Sequence, residues 1–435
     1  MIRLVLILAI ALAAPLRAAT DIVEVTSPGG LTAWLVEEPS IPIVTLNLHF
    51  EGGPAIDPPE RAGATVLMTG LLDEGAGDRD AQGFAVAREE LALRLGFSTN
   101  RSAVTVGMTM LSENRAESLA LLRSALTEPR FDPEPLERVR GQILSGLRRD
   151  QTNPRAILGR AVNRAVYGDH PFARDRDGTP DTVSGLTRED LLAAHARAFT
   201  RDRLTIAVVG DITAAELGAP LDDLLGWLPE ATVPPPADAD LSDAAQTVII
   251  PFASPQSTAR FLHTGIDRDD PDYIAAIVVN HILGGGGSLS RLTQEVREER
   301  GLTYGISTAL QSSSYGSLYG GALSSANATM GQALDLVRAE WARMADEGIS
   351  QTELDAAKMY LTGAFPLQFN GNGRIARYLI GLQLSRRPID YIDRRNGLIE
   401  ALTLEEVNRV AARLLKPEAL RVFVIGQPEG VTPTE

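Results

Sequence analysis

Two stretches of this chain, LTREDLLAAHARAFTRDRLTIAVVG at residues 186–210 and LTLEEVNRVAARLLKPEALRVFVIG at residues 402–426, align without a gap at a constant offset of 216. Each sets a threonine, Thr187 or Thr403, at a helix N-cap and follows it with an acidic pair, Glu189 and Asp190 or Glu405 and Glu406. Apolar residues at helical spacing come next, and each copy closes on a β-rich run ending in glycine. A second match, MTGLLDEG at 68–75 against VNHILGGG at 279–286, holds an offset of 211, a drift that loop insertions produce. A chain that repeats itself in this way folds twice. The expected fold class is α+β: two homologous α/β-sandwich-like domains from an internal duplication, with strands VTLNLHF, AVTVGMTML, TARFLHT and YGGALSS interleaved with helices.

With 435 residues, 44% of them hydrophobic, the chain can fill two ordinary cores. The boundary falls at PEATVPPPADADLSDAA, a Pro-rich acidic run that cannot continue a helix and has too little apolar surface to offset its own ordering. The organisation is therefore an export signal at 1–19, an N-terminal domain at 20–228, a linker at 229–247 and a C-terminal domain at 248–435. The signal is read from MIRLVLILAIALAAPLRAAT, in which Arg3 precedes an apolar run and small residues follow, with cleavage near Ala18 or Ala19. That run covers about 11 residues, against roughly 20 for a membrane span, and none of its length follows. The expected location is the periplasm, with full secretion as the alternative and no membrane association after cleavage.

Chemistry is narrowed by what is missing. The chain has no cysteine, which removes disulfides, thiolate metal sites and a Cys nucleophile together. A formal charge of −15 argues against a phosphate-backbone partner, so nucleic acid is not expected, and peptides carrying basic residues suit it better. The five histidines, His49, His170, His195, His263 and His281, include no two separated by three or four residues, and packing or surface roles suit them best. The glycines at 284–287 lack the Gly-Lys-Ser/Thr ending of a phosphate loop and read as a hinge-like turn that lets SLSRL pack close. FNGNGR at 369–374 reads as a loop.

The order of DPPERAGATVLMTGLLDEGA, NPRAI, GDHPFARDRDGTPDTVSGLTREDLLAAHARAF, TIAVVGDI and ILGGGGSLSRLTQEVREERGLTYGISTAL resembles the pitrilysin/insulinase-type metallopeptidases, the inverted zincins, over essentially the whole chain after the signal. Active members carry His-x-x-Glu-His on a helix, where the two His share one face and grip zinc while the Glu activates water, and a further Glu about 76 residues on completes the ligands. On that resemblance, Val66 and Gly70 stand at the two His positions, Thr69 at the Glu and Gly146 at the distal Glu. No metal is expected on this chain, which has no autonomous catalytic residue.

Members of the family also carry an Arg and a Tyr seven residues apart that hold the substrate backbone and help stabilise the reacting carbonyl. Arg297 and Tyr304 of VREERGLTY match that pair. Arg297, Glu298, Glu299 and Arg300 alone would read as a solvated helix face. The expected geometry is a helix end, Gly301 as a left-handed cap, and a strand starting near Tyr304. Ser290 and Arg291 belong to the same segment and are expected to shape the helix entrance.

A dead zinc half-site beside a kept Arg/Tyr half-site resembles the non-catalytic subunit of heterodimeric family members. The resemblance thus implies a substrate-binding subunit of a two-chain zinc metallopeptidase that degrades or processes peptides, with zinc in a paralogous partner subunit that bears the motif. The alternative is a pseudo-peptidase that binds peptides or supports assembly with no role in hydrolysis.

Overall fold

The computed structural model describes residues 21–241, 244–313 and 315–434. The export signal expected at 1–19 lies outside the described residues. No helix among them is long and apolar enough to cross a membrane.

The first half is built on β1 (Ile22–Thr26), β2 (Thr32–Glu37) and β3 (Ile43–Glu51), then a two-residue hairpin of β4 (Gly75–Ala76) and β5 (Arg79–Asp80). It continues with β6 (Arg94–Thr99), β7 (Ala103–Leu111) and β8 (Leu204–Gly210). The second half supplies β9 (Thr247–Pro251), β10 (Gln256–Thr264), β11 (Gly305–Gln311), β12 (Leu318–Ala326) and β13 (Arg421–Gly426). One sheet runs β1-β2-β8-β3-β7-β6 and the other β9-β13-β10-β12-β11. With β1 set aside as an extra edge, the two orders are the same. Each sheet has one parallel pair, β2 with β8 and β9 with β13, and antiparallel pairs elsewhere. The duplication read from residues 186–210 and 402–426 is thus a duplication of topology.

The paired helices behave as their sequences require. Thr187 caps the Arg188–Ala198 helix and Thr403 the Leu404–Leu414 helix, each in a reciprocal box with Asp190 or Glu406 in which the carboxylate accepts the threonine's own N–H at 2.8 Å. Each helix buries its apolar stripe in the core of its own half.

The back faces of the sheets are covered by exchange. The Pro154–Tyr167 helix of the first half lays Leu158, Val162 and Val166 against Leu262, Phe423 and Ile425 of the second sheet. The Asn372–Leu384 helix of the second half lays Ile375, Leu379 and Ile380 near Trp34, Ala207 and Val209 of the first. Gln383 donates to the Ile206 carbonyl at 3.0 Å, and Arg421 to the Ala165 carbonyl at 2.8 Å, one polar tie in each direction. Burial on both faces explains why β3 is closed along residues 44–50, although its sequence alternates apolar and polar.

Residues 229–241 and 244–246 form no helix or strand, yet the segment is fastened along its length. Ala231 donates to Asp202, the Ala237 carbonyl bonds the His170 ring at 2.8 Å, and Ala239 donates to the Tyr315 carbonyl at 2.9 Å. The FNGNGR stretch is only in part the loop expected of it. The chain turns at Gly371, with φ at +104°, and Asn372 to Arg374 already form the first turn of the Asn372–Leu384 helix.

Candidate functional site

The stretch expected from the resemblance to frame a zinc site forms one short helix, Ala64–Thr69, with Gly70 as its C-cap. Val66 is half-buried and Gly70 exposed, while the buried Thr69 turns its hydroxyl back to donate to the Thr65 carbonyl at 2.7 Å. A Cβ at Gly70 would stand 3.1 Å from Val139 Cγ1, and Val139 belongs to the Pro133–Asp150 helix that also carries the half-buried Gly146. An aliphatic side chain, a back-bonded hydroxyl and two glycines offer zinc no donor set, and the residues present do not fit it. No group of three or more His, Asp or Glu elsewhere among the described residues is placed to hold a metal ion.

What holds the frame is Asp57, whose role no spacing in the sequence announces. Its fully buried carboxylate accepts from the Thr65 N–H and hydroxyl and pairs with Arg197 at 3.1 Å. Burial pushes the Asp57 carboxyl above its usual range, against the hydrogen bonds of Thr65 and the charge of Arg197. Arg174 ties the same corner through the Asp57 and Ala55 carbonyls, at 2.9 and 3.0 Å.

In the second half, residues 293–298 wind as a wide helix, with the Glu299 N–H reaching the Gln294 carbonyl at 2.9 Å. Gly301, with φ at +64°, ends it. The Gly301 N–H bonds the Arg297 carbonyl and the Leu302 N–H the Val296 carbonyl, which closes the helix and packs Leu302 against the second core. Thr303 is pinned by donating to the Ser324 carbonyl at 2.7 Å, and β11 begins two residues later.

Arg297 and Tyr304 are thereby fixed at the backbone on the two arms of one turn, with their side chains left out. Tyr304 is 86% exposed, the largest exposure of any large apolar side chain among the described residues, where Arg297 forms one ion pair, with its neighbour Glu298 at 3.6 Å. Neither side chain belongs to a core cluster or holds a hydrogen bond to another element among the described residues.

The glycine run is helical where a hinge-like turn was expected. The Tyr273–Asn280 helix continues as a wide turn over His281–Gly285, closed by the Gly286 N–H on the His281 carbonyl at 2.8 Å. A Cβ at Gly284 would lie 2.6 Å from Thr308 Oγ1, and one at Gly285 2.4 Å from Asn280 Nδ2. Those two side chains are themselves bonded, Thr308 to Asn280 at 2.8 Å, so the glycines let the helix lie directly on β11.

His281, the repeat counterpart of Gly70, stacks on Tyr360 with ring centroids 4.9 Å apart, and burial holds its pKa below the usual imidazole range. Arg291 locks this wall, gripping Glu353 at 2.6 and 2.9 Å and the Gly348 carbonyl at 3.0 Å. Burial works against the Glu353 charge, but Arg291 and the Ser350 cap bring its carboxyl down to about 2. Ser290 stays local, bonding the Gly287 carbonyl and Thr293.

Comparison with known proteins adds an independent line. Residues 33–179 match the family described as Insulinase (Peptidase family M16), and residues 185–361 the one described as Peptidase M16 inactive domain. The non-peptidase homolog YmxG of Helicobacter pylori is 24% identical over 373 residues, covering 85% of each chain. An uncharacterized zinc protease of Mycobacterium leprae is 26% identical over 396 residues, covering 90% of this chain and 88% of its own. The crystal structure of a peptidase M16 inactive domain from Pseudomonas fluorescens superposes with a TM-score of 0.87 at 28% identity, over 95% of this chain and all (100%) of that one. A protease from Helicobacter pylori shares the fold at a TM-score of 0.84 and 15% identity, over 93% of this chain and 99% of its own.

Proposed function

This chain belongs to the insulinase-type M16 peptidase family as a non-catalytic member, and on that premise we propose that it is the substrate-binding subunit of a two-chain zinc peptidase. The observation that carries the reading is the contrast between its two half-sites. At Val66, Thr69, Gly70 and Gly146 no zinc ligand stands, while Arg297 and Tyr304 sit on the two arms of one turn with their side chains exposed. A guanidinium and a phenol held in this way can donate to the carbonyls of an extended peptide and to charge that develops on one of them. Zinc belongs to a paralogous partner that bears the motif. Leu289, Met359 and Leu367, each more than 70% exposed on the same half as Tyr304, favour a surface that meets another chain. Export to the periplasm by the N-terminal signal is part of the reading.

The test is hydrolysis of a mixed quenched-peptide library, with zinc present, by this chain alone, by the motif-bearing paralogue from the same source alone, and by the two together. Silence from each chain alone and cleavage by the mixture supports the proposal. A paralogue equally active without this chain replaces it with a peptide-binding or assembly role.

A further inference from the structure

The back face of the first sheet is not fully closed by the helix that the second half lends it. Toward its edge the strands align in two rows. Arg94 faces Thr109, which faces Thr45, and beside them Gly96 faces Gly107, which faces Asn47. Two glycines opposite one another leave Asn47 as the side chain on that row, and a notch of about 560 Å³ opens between the sheet and the start of the Asn372–Leu384 helix. Its floor is polar, although strand interiors under a covering helix are ordinarily apolar.

Three features of this notch point the same way. Asn47 is 6% exposed and lines the notch, yet its side-chain amide has no hydrogen-bond partner among the described residues. The amide opens onto the notch rather than being sealed in the core, so its donor and acceptor are free to bond whatever enters. Of the three arginines around the rim, Arg88 is held by Asp73 at 3.2 Å, but Arg94 and Arg377 have no ion pair among the described residues, and no carboxylate lines the notch. The helix that walls it starts at Gly371 with no side-chain cap and no acid in its first turn. The N–H groups of Asn372 and Gly373 bond nothing among the described residues, and Gly373 itself lines the notch. A bare helix start, two unpaired guanidiniums and an unpartnered amide that opens onto the notch are complementary to one negative charge with several acceptor oxygens.

We propose that this notch binds a single oxyanion group, a phosphate or a carboxylate, held between Arg94 and Asn47 of the first half and Arg377 with the bare helix start of the second. Because its donors come from both halves, the ligand cements the helix exchange. The inference stands apart from the peptidase reading.

The test uses the full chain at low salt, titrated by calorimetry with inorganic phosphate and, separately, with an acetylated tripeptide bearing a free C-terminal carboxylate and with its amide. Saturable binding of phosphate, of the free-carboxylate peptide but not its amide, or of both, supports the site and names the source. An Arg94→Ala/Arg377→Ala double variant changes only exposed side chains and weakens that binding by about tenfold or more, whereas Arg148→Ala leaves it unchanged. Absence of binding by every probe up to roughly 10 mM, where even affinities of about 4 kcal/mol would register, overturns the proposal. So does binding that the double variant leaves intact.

Discussion

Asp57 holds Thr65 at both of its polar groups, accepting the backbone N–H at 2.9 Å and the hydroxyl at 2.7 Å. The Ala64–Thr69 helix is therefore fixed from its N-terminal side, independently of any metal. Replacing Asp57 with alanine frees two donors and leaves Arg197 buried without its carboxylate, so Asp57→Ala is expected to cost about 3–5 kcal/mol. Urea denaturation measures it, and a loss below about 1 kcal/mol would show that the frame is held by something else.

His195 predicts a pH dependence. It is buried, its Nε2 lies 2.8 Å from the Leu126 carbonyl, and burial lowers its pKa from 6.5 to about 4. In this window the unfolded chain binds a proton that the folded chain refuses. The contribution is fully present above the unfolded value of about 6.5 and is lost as pH falls toward the folded value, roughly 3 kcal/mol in all. Burial lowers His49 and His281 as well, so they add slope of the same sign. A His195→Gln variant should therefore lose less stability than the parent between about pH 7 and pH 4.5, without becoming flat. Urea midpoints across that range check it, and identical slopes in variant and parent would refute the assignment.

Much of this was legible because the carriers are local. The capping boxes at Thr187 and Thr403 and the strand runs that follow them depend on neighbours within a few residues, and a repeated local signal identifies a repeated fold. The Gly301 cap was readable for the same reason. Asp57 was not, because its partners Thr65 and Arg197 are 8 and 140 residues away. The notch was hidden for a related reason. Asn47 reads as one polar position in an alternating strand, and only the cross-strand register shows that Gly107 and Gly96 leave it uncovered. Gly371 and Gly373 suggested a loop at 369–374, but tertiary packing of Ile375 and Leu379 on the other half's sheet extends the helix back to Asn372.

The glycines of the wide turn make a steric prediction. Gly284→Ala places a methyl group 2.6 Å from Thr308 Oγ1, and overpacking of this kind costs about 1–3 kcal/mol. Thr308→Ala makes room for it, at the loss of the bond to Asn280. Denaturation of the two single variants and the double variant should give a double that is less destabilised than the sum, by at least about 0.5 kcal/mol. Strict additivity would mean that the helix shifts off β11 and the contact is not rigid.

Arg297 and Tyr304 separate function from stability most cleanly, because the fold spends almost nothing on them. Among the described residues Arg297 pairs with Glu298 alone, at 3.6 Å, and Tyr304 is 86% exposed, whereas the neighbouring Thr303 is buried and bonded to β12. Exposed positions of this kind change stability by about 0.5 kcal/mol or less. Arg297→Ala and Tyr304→Phe should thus leave the denaturation midpoint, and any pairing with the proposed zinc-bearing subunit, where they are. On the proposed function, peptide cleavage by the two chains together should fall by about tenfold or more, as it does when a donor to developing charge is removed. Arg297→Lys keeps the charge but not the planar fork, and an intermediate rate would show that geometry contributes. Full activity in both of the first two variants would end the substrate-holding role, and a drop confined to complex formation would reassign the pair to the subunit contact.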